Sequence, residues 1–290
     1  MVHAGAVASG MTGATAAPST MPEAAAPAPP LTVVVATSES VTERAANLAA
    51  GLGLPLSVRA AAPAGAIELE VSETGLALRR SGGPPVRARV ASLATPRAGG
   101  ADPLYRAVLA GAESVIDATA GLGADAFHLA ARGVSVSMIE RSAVVAALLA
   151  DALVRALAGE YGAAAAAAAG RLSLREGDAR DVLPGSHAGV VLLDPMFPTA
   201  DNSASPKKGM RLFRELLPAP PQGGEHAELL ALARRAATRR VVVKRALRAP
   251  PLAGVAPSGS LSGRTVRFDL YAPEVTSSSG GREESDDGHR

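Results

Sequence analysis

The sequence predicts an α/β fold: an open, mostly parallel sheet with helices on both faces and an antiparallel strand at one end. A smaller α/β unit precedes it. Three observations carry this. From residue 102 onward, short apolar runs alternate with helical stretches, the rhythm of strand–helix–strand units. One of these strands runs into a glycine-containing turn that opens a helix, VIDATAGLGADAF over 115–127. The last two strand candidates have no long helix between them, which suits an antiparallel closure.

In chain order, residues 1–30 are dominated by Ala, Pro, Gly, Ser and Thr without periodicity, and read as a disordered tail. LTVVVA (31–36) is a strand, and Ser40–Glu43 has the form of a capping box opening a helix to about residue 50. Segments 66–71, 76–80 and 86–90 alternate apolar and polar residues, as half-buried strands do, with turns at Gly75 and at 82–85 (GGPP). These elements form a small unit, 31–98. The larger domain, 99–273, begins with a helix (102–110) and a strand (114–118). A helix at 124–132 is closed by Gly133. A strand (134–140) and a long helix (142–158) follow, then an Ala/Gly stretch (159–170) read as a helix extension or loop. Strands at 171–176 and 189–194, helices at 207–217 and 225–237, and strands at 240–244 and 265–271 complete it. Residues 274–290 read as a second disordered tail.

Composition narrows the chemistry. The chain has no Cys, which excludes disulfides, thiolate metal sites and cysteine nucleophiles, and its five scattered His argue against zinc. No apolar stretch is long enough to span a membrane and the N-terminus lacks the pattern of a signal peptide, so a cytoplasmic protein is expected. Residues 171–272 carry a net charge of +7 and residues 101–170 carry −3. A basic half suits an anionic partner or an ordinary charged surface.

The glycine turn sits where ligands bind in open α/β sheets, at the carboxyl ends of strands. Gly121 and Gly123 let the backbone approach a ligand, and the following helix presents free N–H groups. Asp117 ends the strand, and Glu140 ends the next one, where an acid can accept both hydroxyls of a ribose. Gly121–Ala126 fits the pattern of a dinucleotide loop, but S-adenosylmethionine satisfies the same arrangement. Asp117 would hold the ammonium of a methionine tail and repel a pyrophosphate. Both ligands remain open at this level.

A second stretch, VVLLDPMFP (190–198), ends a strand on the same side of the sheet. Asp194 and the carbonyls of Pro195 and Met196 form an acceptor cluster, and Phe197 offers a flat face. Such a cluster suits an unstacked base with an exocyclic amino group. Acceptors on its N–H bonds would free the nitrogen lone pair for attack on a methyl group, with no metal required. The competing reading is a structural turn. Lys207, Lys208, Arg211 and Arg214 line one side of the next helix, and Lys244 and Arg245 end a later strand; these are the candidate phosphate contacts. Asp178 follows the third strand, where an acid can bind an adenine amino group.

Taken together, DATAGLG-x-DAF, MIERSAVVAALL, LLDPMFP, KKGMRLF, RRVVVKR and RFDLYA resemble the bacterial small-subunit ribosomal RNA guanine-N2 methyltransferases of the RsmJ type, over roughly residues 99–272. The resemblance implies a class I methyltransferase (Rossmann-like) fold and S-adenosyl-L-methionine as methyl donor. It implies transfer to N2 of one guanine, with 16S ribosomal RNA or the small ribosomal subunit as partner. Carried over by motif, cofactor contacts fall on Ala124, Asp125, Glu140, Arg141, Asp178, Ala179 and Asp194. Ala124 stands where the family commonly has Arg, so only backbone contact remains there. The rival readings are an NAD-dependent oxidoreductase and a non-catalytic RNA-binding module.

Overall fold

The computed structural model describes residues 32–58, 65–88, 90, 102–108, 114–195, 212, 215–216 and 223–274. The expected tails, the expected basic helix face at Lys207, Lys208, Arg211 and Arg214, and Met196 and Phe197 lie outside these residues.

The described residues form two sheets. The first contains β1 (Thr32–Ala36), β2 (Leu56–Val58), β3 (Ile67–Ser72) and β4 (Gly75–Arg80) in the order β2-β1-β3-β4, covered by helix α1 (Thr42–Leu52). The second contains β5 (Ser114–Asp117), β6 (Ser135–Glu140), β7 (Leu172–Glu176), β8 (Ala188–Leu193), β9 (Ala237–Ala246), β10 (Gly259–Ser262) and β11 (Val266–Tyr271). Its order is β10-β11-β9-β8-β5-β6-β7, parallel from β7 to β9 and antiparallel at β11. The expected antiparallel closure is therefore present. A short edge strand, β10, pairs antiparallel with β11 and had no signature of its own, because GSLS has little apolar content.

Helices cover both faces of the larger sheet. Val115, Val136, Val190 and Leu192 turn to one side, where they meet α2 (Pro103–Val108), α3 (Ala124–Ala130), α4 (Ala143–Leu157) and α5 (Ala163–Ala169). Ile116, Ile139, Val191 and Leu193 turn to the other, against α6 (Ala179–Val182) and α7 (Gly223–Ala236). β8, dry on both faces, reads as a continuous apolar run, whereas β6 keeps exposed serines at 135 and 137. α5 is seven alanines set off from α4 by Gly159 and Gly162, both at positive φ, so the Ala/Gly stretch is a separate helix.

α4 joins the two sheets. Ser142 caps it, its hydroxyl accepting from the Val145 N–H. Leu149, Ala152 and Ala156 pack on the large sheet, while Val145 and Leu148 pack with β1, β3 and β4. Asp151 Oδ2 accepts from the Leu76 N–H at 2.8 Å and Oδ1 pairs with Arg44, so α4 holds the small sheet by polar contacts as well.

Three local expectations fail for nonlocal reasons. The capping box does not form: residues 39–41 make a 3-10 turn, and Ser40 donates instead to Glu73 Oε1 at 2.7 Å. β3 is not half-buried but buried on both faces, its Glu70 paired with Arg79 and Arg87. Of the expected 86–90 strand, the described residues show a single bridge, between Val86 and Leu78.

Candidate active site

The carboxyl ends of β5, β6 and β8 open into a cleft of about 450 Å³. Of the residues singled out from sequence, Asp117, Gly121, Ala124, Asp125, Glu140, Arg141, Asp178, Ala179, Asp194, Pro195 and Lys244 line it together. Gly123 and Arg245 do not.

The loop 118–123 is stitched down before any ligand arrives. The Ala118 N–H donates to the Leu192 carbonyl and the Ala120 N–H to the Ile139 carbonyl, both at 3.0 Å. Gly121 has φ +53 and open space where a Cβ would stand, so its backbone faces the cleft bare. Its N–H donates to Glu140 Oε2 at 2.8 Å, and the Ser142 N–H donates to Oε1 at the same distance. Glu140 thus orients the glycine turn, and its remaining lone pairs can take two hydroxyls. Burial raises its pKa against the pull of these N–H bonds.

Gly123 has a different reason to be glycine. A Cβ there would stand 2.7 Å from Leu149 Cδ1, inside the core beneath α4, at φ +75. Gly123 lets α3 lie close to α4 and does not clear space for a ligand. Gly123→Ala is expected to destabilise the fold by about 1–3 kcal/mol through overpacking and backbone strain. Denaturant unfolding should show the midpoint falling; an unchanged midpoint would place the packing constraint elsewhere.

Four ionisable groups, Asp117, Asp125, Asp194 and Lys244, meet at the mouth of β5. Asp117 is buried, and burial first, then the nearby Asp125, pushes its carboxyl up to about 8. Such a group favours a cationic partner, since an ammonium beside it would restore the carboxylate. Asp194 follows β8, its N–H donating to Thr119 Oγ1 at 2.6 Å. Lys244 Nζ lies 2.7 Å from Asp125 Oδ2 and 2.9 Å from Asp194 Oδ2. Burial opposes its charge, but these two carboxylates prevail and hold the ammonium above its ordinary range. A pyrophosphate would face Asp117 and Asp125 here, which argues against a dinucleotide.

One expectation is corrected. Arg245, expected to reach an anionic substrate, is buried with Nε donating to the Pro250 carbonyl at 3.0 Å. The strand alternation that sends Lys244 into the cleft sends Arg245 under the 247–252 turn. Lys244 itself serves the carboxylates of the site. The Asp178 carboxylate caps α6 and is held by the Arg180 guanidinium at 2.9 Å, which lowers its pKa.

Sequence reasoning missed Thr119, Arg180, Glu225, His226 and Leu229, all lining the cleft. The last three come from the start of α7, whose helical pattern was legible but whose return to the strand ends was not. His226 is buried, and that burial, followed by Arg245, lowers its pKa.

Residues 60–273 match the family described as putative SAM-dependent methyltransferase. A ribosomal RNA small subunit methyltransferase J of Thioalkalivibrio sulfidiphilus is 42% identical over 250 residues, covering 81% of this chain and 94% of the relative. One from Rhodopseudomonas palustris (strain HaA2) is 50% identical over 158 residues, covering 54% of this chain and 70% of the relative. Among solved structures, a SAM-dependent methyltransferase from Neisseria gonorrhoeae superimposes with a TM-score of 0.65 at 31% identity, covering 83% of this chain and 96% of that one.

Proposed function

The chain belongs to the SAM-dependent methyltransferase family, and from that premise we propose that it transfers a methyl group to the exocyclic N2 of a guanine in 16S ribosomal RNA, free or within the small ribosomal subunit. The observation that carries this reading is the meeting of two elements in one cleft: the Gly121 turn held by Glu140, and the Asp194–Pro195 turn beside it. The named relatives act on small-subunit ribosomal RNA, which supports the substrate class.

The cleft fits S-adenosylmethionine by its donor set. Glu140 would accept the ribose hydroxyls, Asp117 the α-ammonium, and the backbone at Gly121, Ala124 and Asp125 would border the methionine end. Arg141, Asp178 and Ala179 would border the adenosine end. When bound, the cofactor supplies an electrophilic methyl group on a sulfonium. The protein does the rest by positioning. Asp194 and the Pro195 carbonyl accept the N–H bonds of the guanine amine, which draws its lone pair out of the ring. Methylation leaves the amine with a proton to lose, and Asp194 would be the carboxylate placed to take it. Phe197 would stack on the base.

Mass mapping of methylated guanines in 16S ribosomal RNA tests the substrate. Deleting the protein should remove one N2-methyl mark, and re-expression should restore it. An unaltered methylation map would sink the guanine assignment.

A further inference from the structure

The donor and acceptor sides of the cleft are tied together at Lys244. β8 and β9 run parallel with Leu193 beside Val243, so Asp194, the first residue past β8, stands next to Lys244 within β9. From there Nζ reaches Asp194 Oδ2 on one side and Asp125 Oδ2, in the first turn of α3, on the other. Lys244 is 25% exposed at its side chain and Asp194 44%, and both open to the cleft. The ion pair uses Oδ2 of Asp194.

We propose that Lys244 is a positioning residue for methyl transfer: an internal counter-ion that locks Asp194 to Asp125 and keeps the Asp194 carboxylate ionised as an acceptor for the incoming amine. This rests on the function proposed above.

The electrostatic surroundings support it. Asp194 is faced by Lys244 and Arg245 from β9, by Asp125 from α3, and by Asp117 from β5. Desolvation within the cleft, with Lys244 and Arg245 pulling the other way and Asp125 adding to it, leaves the Asp194 carboxyl above its ordinary range. Asp117 responds the same way, with Asp125 and Asp194 raising it and Lys244 lowering it. Arg245 is buried and engaged with the Pro250 carbonyl. Lys244 is thus the cation placed to favour the carboxylate form of Asp194. Without it, Asp194 would protonate at higher pH and lose acceptor strength, so its titration and the acidic limb of the rate profile should move up together.

Two readouts decide the matter. With ¹³C-labelled aspartates, carboxyl NMR titration of the substrate-free protein should show the cluster in Lys244→Met titrating about one unit or more higher than wild type. Lys244→Arg should titrate near wild type. An unmoved titration in folded Lys244→Met overturns the proposal; if that variant does not fold, Lys244→Gln gives the same reading. In parallel, methyl transfer to ribosomal RNA followed between about pH 5 and 9 should show the acidic limb shifted upward in Lys244→Met, with activity recovering at high pH. An equal loss at every pH would mark a merely structural role and overturn it. If wild type binds S-adenosylmethionine but methylates no RNA, the proposed function fails, and the NMR titration still decides the counter-ion.

Discussion

Asp194→Asn is expected to reduce methyl transfer by about 10²–10³-fold or more while S-adenosylmethionine still binds. The substitution keeps the shape of the side chain. It removes the negative charge and turns one of two acceptor atoms into a donor. Either the NH₂ faces Lys244, where two donors oppose each other, or it faces the guanine amine, where the acceptor is lost. The backbone N–H of residue 194 would remain on Thr119 Oγ1, so the turn itself should survive. With the cofactor held at the β5 and β6 ends as proposed, its affinity should change little. Radiolabelled methyl incorporation paired with titration calorimetry separates the two effects. Wild-type turnover in this variant would mean that the amine is held by another residue.

Glu140→Gln is expected to weaken cofactor binding by about 10²-fold, as charge-assisted hydrogen bonds to a buried carboxylate are lost. Both Glu140 oxygens accept backbone N–H groups, from Gly121 and from Ser142. Glutamine has one carbonyl oxygen, so its NH₂ must face one of these N–H donors. The glycine turn or the start of α4 would then shift, and a ribose hydroxyl would lose its ionised acceptor. Calorimetry with S-adenosylmethionine reads this directly. Unchanged affinity would show that the ribose is not held at the end of β6.

The elements of the large sheet were legible because local pattern suffices for them. Short apolar runs between helical stretches mark β5, β8 and β9, and apolar–polar alternation marks β6 and the edge strand β7. The acid at 140, 19 residues after Gly121, was legible as a candidate ribose acceptor; that it also holds the Gly121 N–H, at 2.8 Å, is a contact between two strand ends. What misled was local chemistry with several outlets. Ser40 has the spacing of a capping residue, yet Glu73, 33 residues away, offers its hydroxyl a better partner. Gly123 looked like a ligand-facing glycine, yet Leu149 occupies the space that its missing Cβ leaves.

By itself the sequence determined the sheet, the glycine turn and the acids that end β5, β6 and β8, because these depend on periodicity and on residues within one strand–helix unit. Only the tertiary structure decided which charges meet. Asp125 and Lys244 are 119 residues apart, and their contact depends on strand order and on the register that sets Leu193 beside Val243. That register is fixed by packing on both faces of the sheet, where a one-residue slip would turn every buried side chain to the wrong side. The same alternation buried Arg245 and delivered Lys244 to the cleft, turning an expected substrate contact into the counter-ion of the site.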